Sequence, residues 1–314
     1  MRQTLLIYVD EDLNYIDFIL LKLSEENFQK IISELEEEKI EKRMLCRVNK
    51  PKLLWDPLYL KSSPYYNLIR SLFGKNTIIK YLNVYILWNG RVWPPSIDSL
   101  LLAKILKEQS YFKKPMKSII DMGCGTGFLG ILLAKNNVFI HKIYAIDISE
   151  ESLLSTTLNA QINKIDSKKL KIIRSDSFSN VPKNIKVDLI VCNPPYIPIF
   201  SGKNKNYRFA SFSGTKLLED IIRYSGYFTK EIVFLYSSVS LHVVNNVNSE
   251  VKIKKREILL RKELPFRVPL VLRDSDWVNY LVKMGGLREK EILKEEQDEY
   301  RFWHTIYIER RVYV

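Results

Sequence analysis

One stretch of this chain restricts the fold more than any other: Asp121-Met-Gly-Cys-Gly-Thr-Gly127. Residues Met116 to Asp121 read as a short buried strand, and Phe128 to Lys135 as the start of an apolar helix. Strand, glycine turn, helix is the opening of an α/β unit that binds a nucleotide-like ligand. Gly123, Gly125 and Gly127 lack a Cβ, so the backbone turns sharply and a ligand approaches closely. The helix that follows offers free N–H groups at its start.

Such N–H groups favour phosphate. Gly125-Thr-Gly-Phe-Leu-Gly130 also fits the GxGxxG pattern of a dinucleotide site. Asp121 argues otherwise. A carboxylate at the strand end repels a pyrophosphate but attracts the ammonium of a methionine-like moiety, directly or through water. The reading therefore moves from a nicotinamide dinucleotide to S-adenosylmethionine. Lys142 to Ile146 reads as the next strand and ends in Asp147, 20 residues after Gly127, where an acid meets ribose hydroxyls. Ser149 caps a following helix, with Glu150 and Glu151 in its first turn. Lys171 to Arg174 reads as a third strand. In the Ser175-Asp176-Ser177-Phe178 segment after it, Asp176 is either an acceptor for an adenine amino group, with Phe178 packed nearby, or a plain loop acid.

Val187 to Cys192 reads as a fourth, buried strand, and Asn193-Pro-Pro-Tyr196 follows at its carboxyl end. Ligands bind at that edge of open α/β sheets. Two prolines fix φ and remove two backbone donors. What remains are acceptors: the Asn193 side-chain oxygen and the Pro194 carbonyl. Two fixed acceptors hold both protons of an NH2 group and aim its lone pair. Tyr196 offers a face on which a flat amide or base stacks. An amide or aryl amine is a poor nucleophile, so positioning and polarisation carry such a reaction rather than a strong base. Together the motifs predict methyl transfer from S-adenosylmethionine to a planar nitrogen, with no metal required.

These residues resemble the class I methyltransferases that modify planar amino nitrogens, and most closely the glutamine N5-methyltransferases of peptide-chain release factors. Three further segments carry the resemblance. Trp93-Pro-Pro-Ser-Ile-Asp98 precedes a helix, Asn193-Pro-Pro-Tyr-Ile-Pro198 extends the clamp, and Ala210-Ser-Phe-Ser-Gly214 stands where that family has a glycine-containing segment. The first has Ser96 and Asp98 where the family has an arginine and glutamates, and the last has one glycine where it has two. The resemblance implies an α/β fold: a Rossmann-like, seven-stranded class I methyltransferase sheet with a smaller, mainly helical amino-terminal domain. It puts Asp121, Gly123, Gly125, Gly127, Asp147, Ile148, Asp176, Ser177 and Asn193 around the cofactor. Asn193, Pro194 and Tyr196 become catalytic, and Pro95, Ser96, Pro195 and Tyr196 face the substrate. The glycine loop is equally at home in enzymes acting on guanine N2 or adenine N6 of RNA. Both substrates stay open: a protein such as a release factor, or RNA. Some relatives act with a small activating partner.

Composition excludes several other classes. Three cysteines (Cys46, Cys124, Cys192) have neither disulfide nor zinc spacing and read as small buried residues. Three histidines (His141, His242, His304) are too few and too scattered for a histidine metal site or triad. No apolar run reaches membrane-span length. Thr4 to Val9 is short for a signal peptide and runs into Asp10, Glu11 and Asp12, so a cytoplasmic chain is expected. Residues 1–39 hold 4 Lys/Arg against 10 Asp/Glu, a net of −6, which leaves +19 on the rest of a chain of net charge +13. A basic body suits a polyanion such as RNA or the ribosome, or simply a lysine-rich solvated surface. It also fits a non-catalytic Rossmann-like binding module, against which the Asn193 clamp argues.

The division expected is an amino-terminal domain over 1–90, which packs or selects substrate, and a methyltransferase domain over 91–314. Ile16, Leu20, Leu23, Ile31 and Leu35 stand near helical spacing, which predicts one or two amphipathic helices over Leu13 to Lys39. Glu231 to Ser237 reads as a fifth strand. Ile253 to Leu260 and His304 to Tyr313 read as a closing antiparallel pair, with a helix from Asp274 to Met284 between them.

Overall fold

The computed structural model of the chain describes residues 2–23, 32–33, 35–36, 40, 42–49, 63–75, 77–198, 214–266, 275–290 and 302–314. It forms two compact units, residues 1–174 and 175–314.

The first unit opens with strands where helices are expected. β1 (Arg2–Val9), β2 (Ile16–Leu23), β3 (Lys42–Val48), β4 (Thr77–Tyr81) and β5 (Val84–Trp88) form a sheet in the order β3-β2-β1-β4-β5. Only β1 and β4 run parallel. The mainly helical amino-terminal domain is thus corrected to a mainly β one. The reason lies in the spacing. Residues four apart share a face in a helix and in a strand alike, so Ile16 and Leu20 satisfied both periods. Phe18 and Leu21 decide between them, because Ile16, Phe18 and Leu20 fill one face while Asp17 and Leu21 are buried on the other. Asp17 is neutralised by its cross-strand partner Arg47, which donates from Nε and Nη2 at 2.6 and 2.7 Å. Ile32 and Leu35, in helical backbone, pack on this sheet. Residues 24–31, also part of that helical expectation, lie outside the described residues.

α1 (Tyr66–Leu72) precedes β4. After β5 the chain passes Pro94 and Pro95 and enters α2 (Ile97–Glu108), with Ser96 in extended backbone just before it, Asp98 in the first turn and Lys107 in the last. Then β6 (Ser118–Met122), α3 (Phe128–Asn136), β7 (Lys142–Asp147), α4 (Glu150–Ile162) and β8 (Leu170–Arg174) follow as a βαβαβ run. Its strands are parallel in the order β6-β7-β8.

The second unit holds β9 (Leu189–Cys192) parallel to β10 (Glu231–Ser237), which the long β13 (Phe302–Tyr313) joins antiparallel. β11 (Ile253–Pro265) and the two-residue β12 (Arg288–Glu289) pair with β13 as well. All four residues of β9 are fully buried, as a strand covered on both faces requires. Between these strands lie α5 (Lys216–Tyr224), α6 (Leu241–Asn246) and α7 (Ser275–Lys283). The first unit thus holds three parallel strands of the α/β run (β6, β7, β8), and the second holds four longer strands (β9, β10, β11, β13). Residues 210–213, in the downstream glycine-containing segment, lie outside the described residues, as does Asp274. Among the described residues no helix is long and apolar enough to cross a membrane.

Candidate functional site

The glycine loop sits between β6 and α3. Gly123, Gly125 and Gly127 all take left-handed backbone, with φ of 67°, 54° and 79°. β7 holds the loop from one side: Gly123 and Cys124 donate their N–H groups to Ile146 O at 2.8 and 3.0 Å. α4 holds it from another. Thr156 Oγ1 donates to Gly125 O at 3.0 Å, and Asn159 Nδ2 to Thr126 O at 3.0 Å. Among the described residues, and leaving out its chain neighbours, a Cβ at Gly125 would meet no atom nearer than Val92 Cγ1 at 3.8 Å. Crowding by protein atoms therefore does not account for a glycine here; its left-handed backbone does. Val92 also brings the Trp93–Ser96 segment to the loop.

Asp147 links two turns. Its Oδ2 accepts from Gly125 N at 3.0 Å and its Oδ1 from Ser149 N at 2.9 Å. The Ile148 N–H and the Ser152 hydroxyl also donate to this carboxylate, so most of its roughly four lone-pair directions are engaged by the turn it holds. Burial pushes its carboxyl above the usual range. Ile148 beside it is 57% exposed, an apolar surface next to an acid. Asp121 is placed differently. It is buried, and its Oδ2 accepts from Gly130 N, inside α3, at 2.8 Å. Its carboxylate thus ties β6 to α3, and burial raises its pKa to about 7. Pro95 and Ser96 are also buried, and Ser96 Oγ has no hydrogen-bond partner among the described residues.

In the second unit, Asp176 is exposed and pairs with Lys216 (3.3 Å), which also pairs with Asp220 (2.7 Å). The neighbouring Ser177 takes left-handed backbone (φ 52°), a conformation that costs a residue with a Cβ about 1–2 kcal/mol. Its buried Oγ has no hydrogen-bond partner among the described residues. The Phe178 ring is stacked on Phe228 with centroids 4.7 Å apart.

Asn193, Pro194, Pro195 and Tyr196 leave the carboxyl end of β9 in irregular backbone, Pro194 buried and the others half-buried. Tyr196 packs on an apolar cluster of Val239, Phe266, Val278, Leu281 and Leu287. Its ring centroid lies 6.2 Å from that of His304. His304 Nδ1 and Ser237 Oγ are hydrogen-bonded at 2.8 Å, and Phe266 meets the imidazole edge-on at 5.0 Å. Burial drives the pKa of His304 down to about 3, so the ring behind Tyr196 is neutral. Sequence reasoning passed over Thr156, Asn159, Lys216 and His304. Two asparagines one turn apart, Asn159 and Asn163, were the available signal, since asparagine is a weak helix former.

The loop thus presents left-handed glycine backbone, a carboxylate bonded to the turns on both sides of it, and an exposed apolar neighbour. Residues 96–210 match the family described as the Methyltransferase small domain. Those residues are a methyltransferase domain that uses S-adenosylmethionine. A putative protein N5-glutamine methyltransferase of Methanocaldococcus jannaschii is 31% identical over 140 residues, 44% of this chain and 65% of that protein. A release factor glutamine methyltransferase of Leptospira interrogans is 33% identical over 179 residues, 55% of this chain and 54% of that one. A ribosomal RNA large subunit methyltransferase G of Shewanella amazonensis is 33% identical over 79 residues, 25% of this chain and 20% of that one. The chain spans 65% or less of each relative's length.

Proposed function

We propose that this chain methylates the side-chain amide of a glutamine in a protein, a substrate of the release-factor kind. The observation that carries the reading is Asn193-Pro-Pro-Tyr196 at the end of a fully buried strand, with the Tyr196 ring seated against His304 and the apolar cluster. The names of the Leptospira and Methanocaldococcus relatives support the glutamine substrate. When bound, S-adenosylmethionine supplies an electrophilic methyl group on a sulfonium sulfur. Gly123, Gly125 and Gly127 give it a bare backbone surface, Asp147 accepts from its ribose hydroxyls, and Ile148 covers its base. Asp176 and Ser177 supply polar groups at the base edge, and Asp121 holds the loop's strand and helix in register.

On the substrate side, Asn193 Oδ1 and Pro194 O accept the two amide protons, which fixes the NH2 plane and raises electron density on nitrogen. Tyr196 and Pro195 bracket the flat group, and Pro95 and Ser96 line the approach. The new N–C bond would form as the sulfonium S–C bond breaks and S-adenosylhomocysteine departs, and one of the two amide protons held by Asn193 Oδ1 and Pro194 O would pass to water. Substrate selection belongs to residues 1–90 in this reading.

Transfer of radiolabelled methyl into an extract of cells lacking this protein tests the proposal, because the extract also contains any activating partner. Label removed by protease and mapped to a glutamine supports it. Label removed by ribonuclease moves the assignment to an RNA base, which the Shewanella relative and the charge of +13 favour. Asn193→Ala should lower transfer by about a hundredfold or more while cofactor affinity stays within about twofold. Unchanged transfer would refute the clamp.

A further inference from the structure

β5 is a terminal strand, and the backbone groups on its free side need partners. α4 provides them. Leu87 N donates to Asn159 Oδ1 at 2.8 Å, and Asn159 Nδ2 faces Leu87 O at 3.4 Å. Tyr85 N donates to Asn163 Oδ1 at 3.0 Å, and Asn163 Nδ2 donates to Tyr85 O at 2.6 Å. The match is geometric. Two residues along a strand advance about 6.7 Å, and four along a helix about 6 Å. Two amide side chains one turn apart therefore copy the ladder of a neighbouring strand. Both asparagines are buried, Asn159 completely.

The second amide proton distinguishes them. Asn163 gives its second to the backbone of its own helix, Asn159 O, at 2.8 Å. Asn159 gives its second to Thr126 O, between Gly125 and Gly127. With Thr156 on Gly125 O, two successive carbonyls of the loop are pinned from α4, which fixes the planes of both peptides.

We propose that Asn159 is a positioning residue for the cofactor: one side chain locks the glycine loop to the edge strand of the amino-terminal sheet. The proposal rests on the reading that this loop binds S-adenosylmethionine. Asn163 supplies the internal control, because it makes the same kind of strand contact and leaves the loop alone. In the full-length chain, Asn159→Ala and Asn163→Ala should both lower Tm. Asn159→Ala alone should weaken binding of S-adenosylhomocysteine by about tenfold, the scale of one hydrogen bond. It should also speed hydrogen exchange at Thr126 and Gly127 in the ligand-free protein. Asn163→Ala should leave both readouts within about twofold of the parent.

Equal affinities and equal exchange in the two variants would overturn the proposal, and so would equal losses. Absence of binding by the parent chain would overturn the cofactor reading instead, while the exchange comparison would still decide whether Asn159 orders the loop. Should Asn159→Ala fail to fold, Asn159→Ser is compared by the same criteria.

Discussion

Asp121 and His304 are both buried ionisable groups, and they bend stability with pH in opposite senses. Burial raises Asp121 from 3.8 to about 7. Between those values the folded chain holds a proton that the unfolded chain has lost, so this group's contribution to stability declines as pH rises through the window. Asp121→Asn keeps an acceptor for Gly130 N and should remove that decline, leaving the variant more stable than the parent at pH 8. An unaltered pH dependence would show that the carboxylate is not the source. His304 is depressed from 6.5 to about 3. There the unfolded chain takes the proton first, so stability present above 6.5 is lost as pH falls toward 3. His304→Asn should flatten this acid limb, read by urea unfolding at a series of pH values. It should also lower kcat more than KM, because Tyr196 loses its seat. Neither residue's environment was legible in the sequence. Asp121 stood out as an acid beside glycines, but the partner that defines it is a backbone N–H nine positions on. Ser237, the partner of His304, is 67 positions away.

At the scale of elements, the α/β core was legible because its strands are short apolar runs with turn signals at both ends. Glu231–Ser237 was expected as a strand and is one over those same residues. The amino-terminal sheet was not, because Ile16 and Leu20 satisfy two periodicities and the residues that arbitrate pair with distant strands. Helix–strand packing in the core is close at Gly130. A Cβ there would stand 3.0 Å from Asp121 Oδ2 and 3.3 Å from Ile143 Cγ2. Neither neighbour yields easily, since one is hydrogen-bonded and the other belongs to β7. Gly130→Ala should therefore destabilise the chain by about 1–3 kcal/mol despite alanine's better helix propensity. A variant as stable as the parent would mean that α3 shifts freely on the strands.

For the molecule as a whole, charge separates the two substrate classes. A chain of net charge +13 attracts any polyanion. Binding that neutralises six or more phosphates loses about a thousandfold in affinity between 50 and 200 mM salt. The glutamine reading predicts a change in KM smaller than about tenfold over that range, and a loss of RNA-like size would move the substrate to nucleic acid. Charge totals came directly from the sequence, yet they do not say which cations are already engaged. Lys104 and Lys107 of α2, for example, pair with Asp12 and Glu11 from the β1–β2 turn.

The helix that imitates a strand has a consequence for self-association. A sheet grows, or recruits another chain, through an edge whose backbone groups are unclaimed. α4 claims those of Tyr85 and Leu87 on β5. The other end of that sheet is β3, which carries Lys42, Arg43 and Arg47 and is mostly exposed. Positive charge along an edge discourages a second copy from adding itself there. The two asparagines on that edge thus serve as a guard against strand-to-strand polymerisation, a burden that a plain β-sandwich meets with bulges or prolines instead.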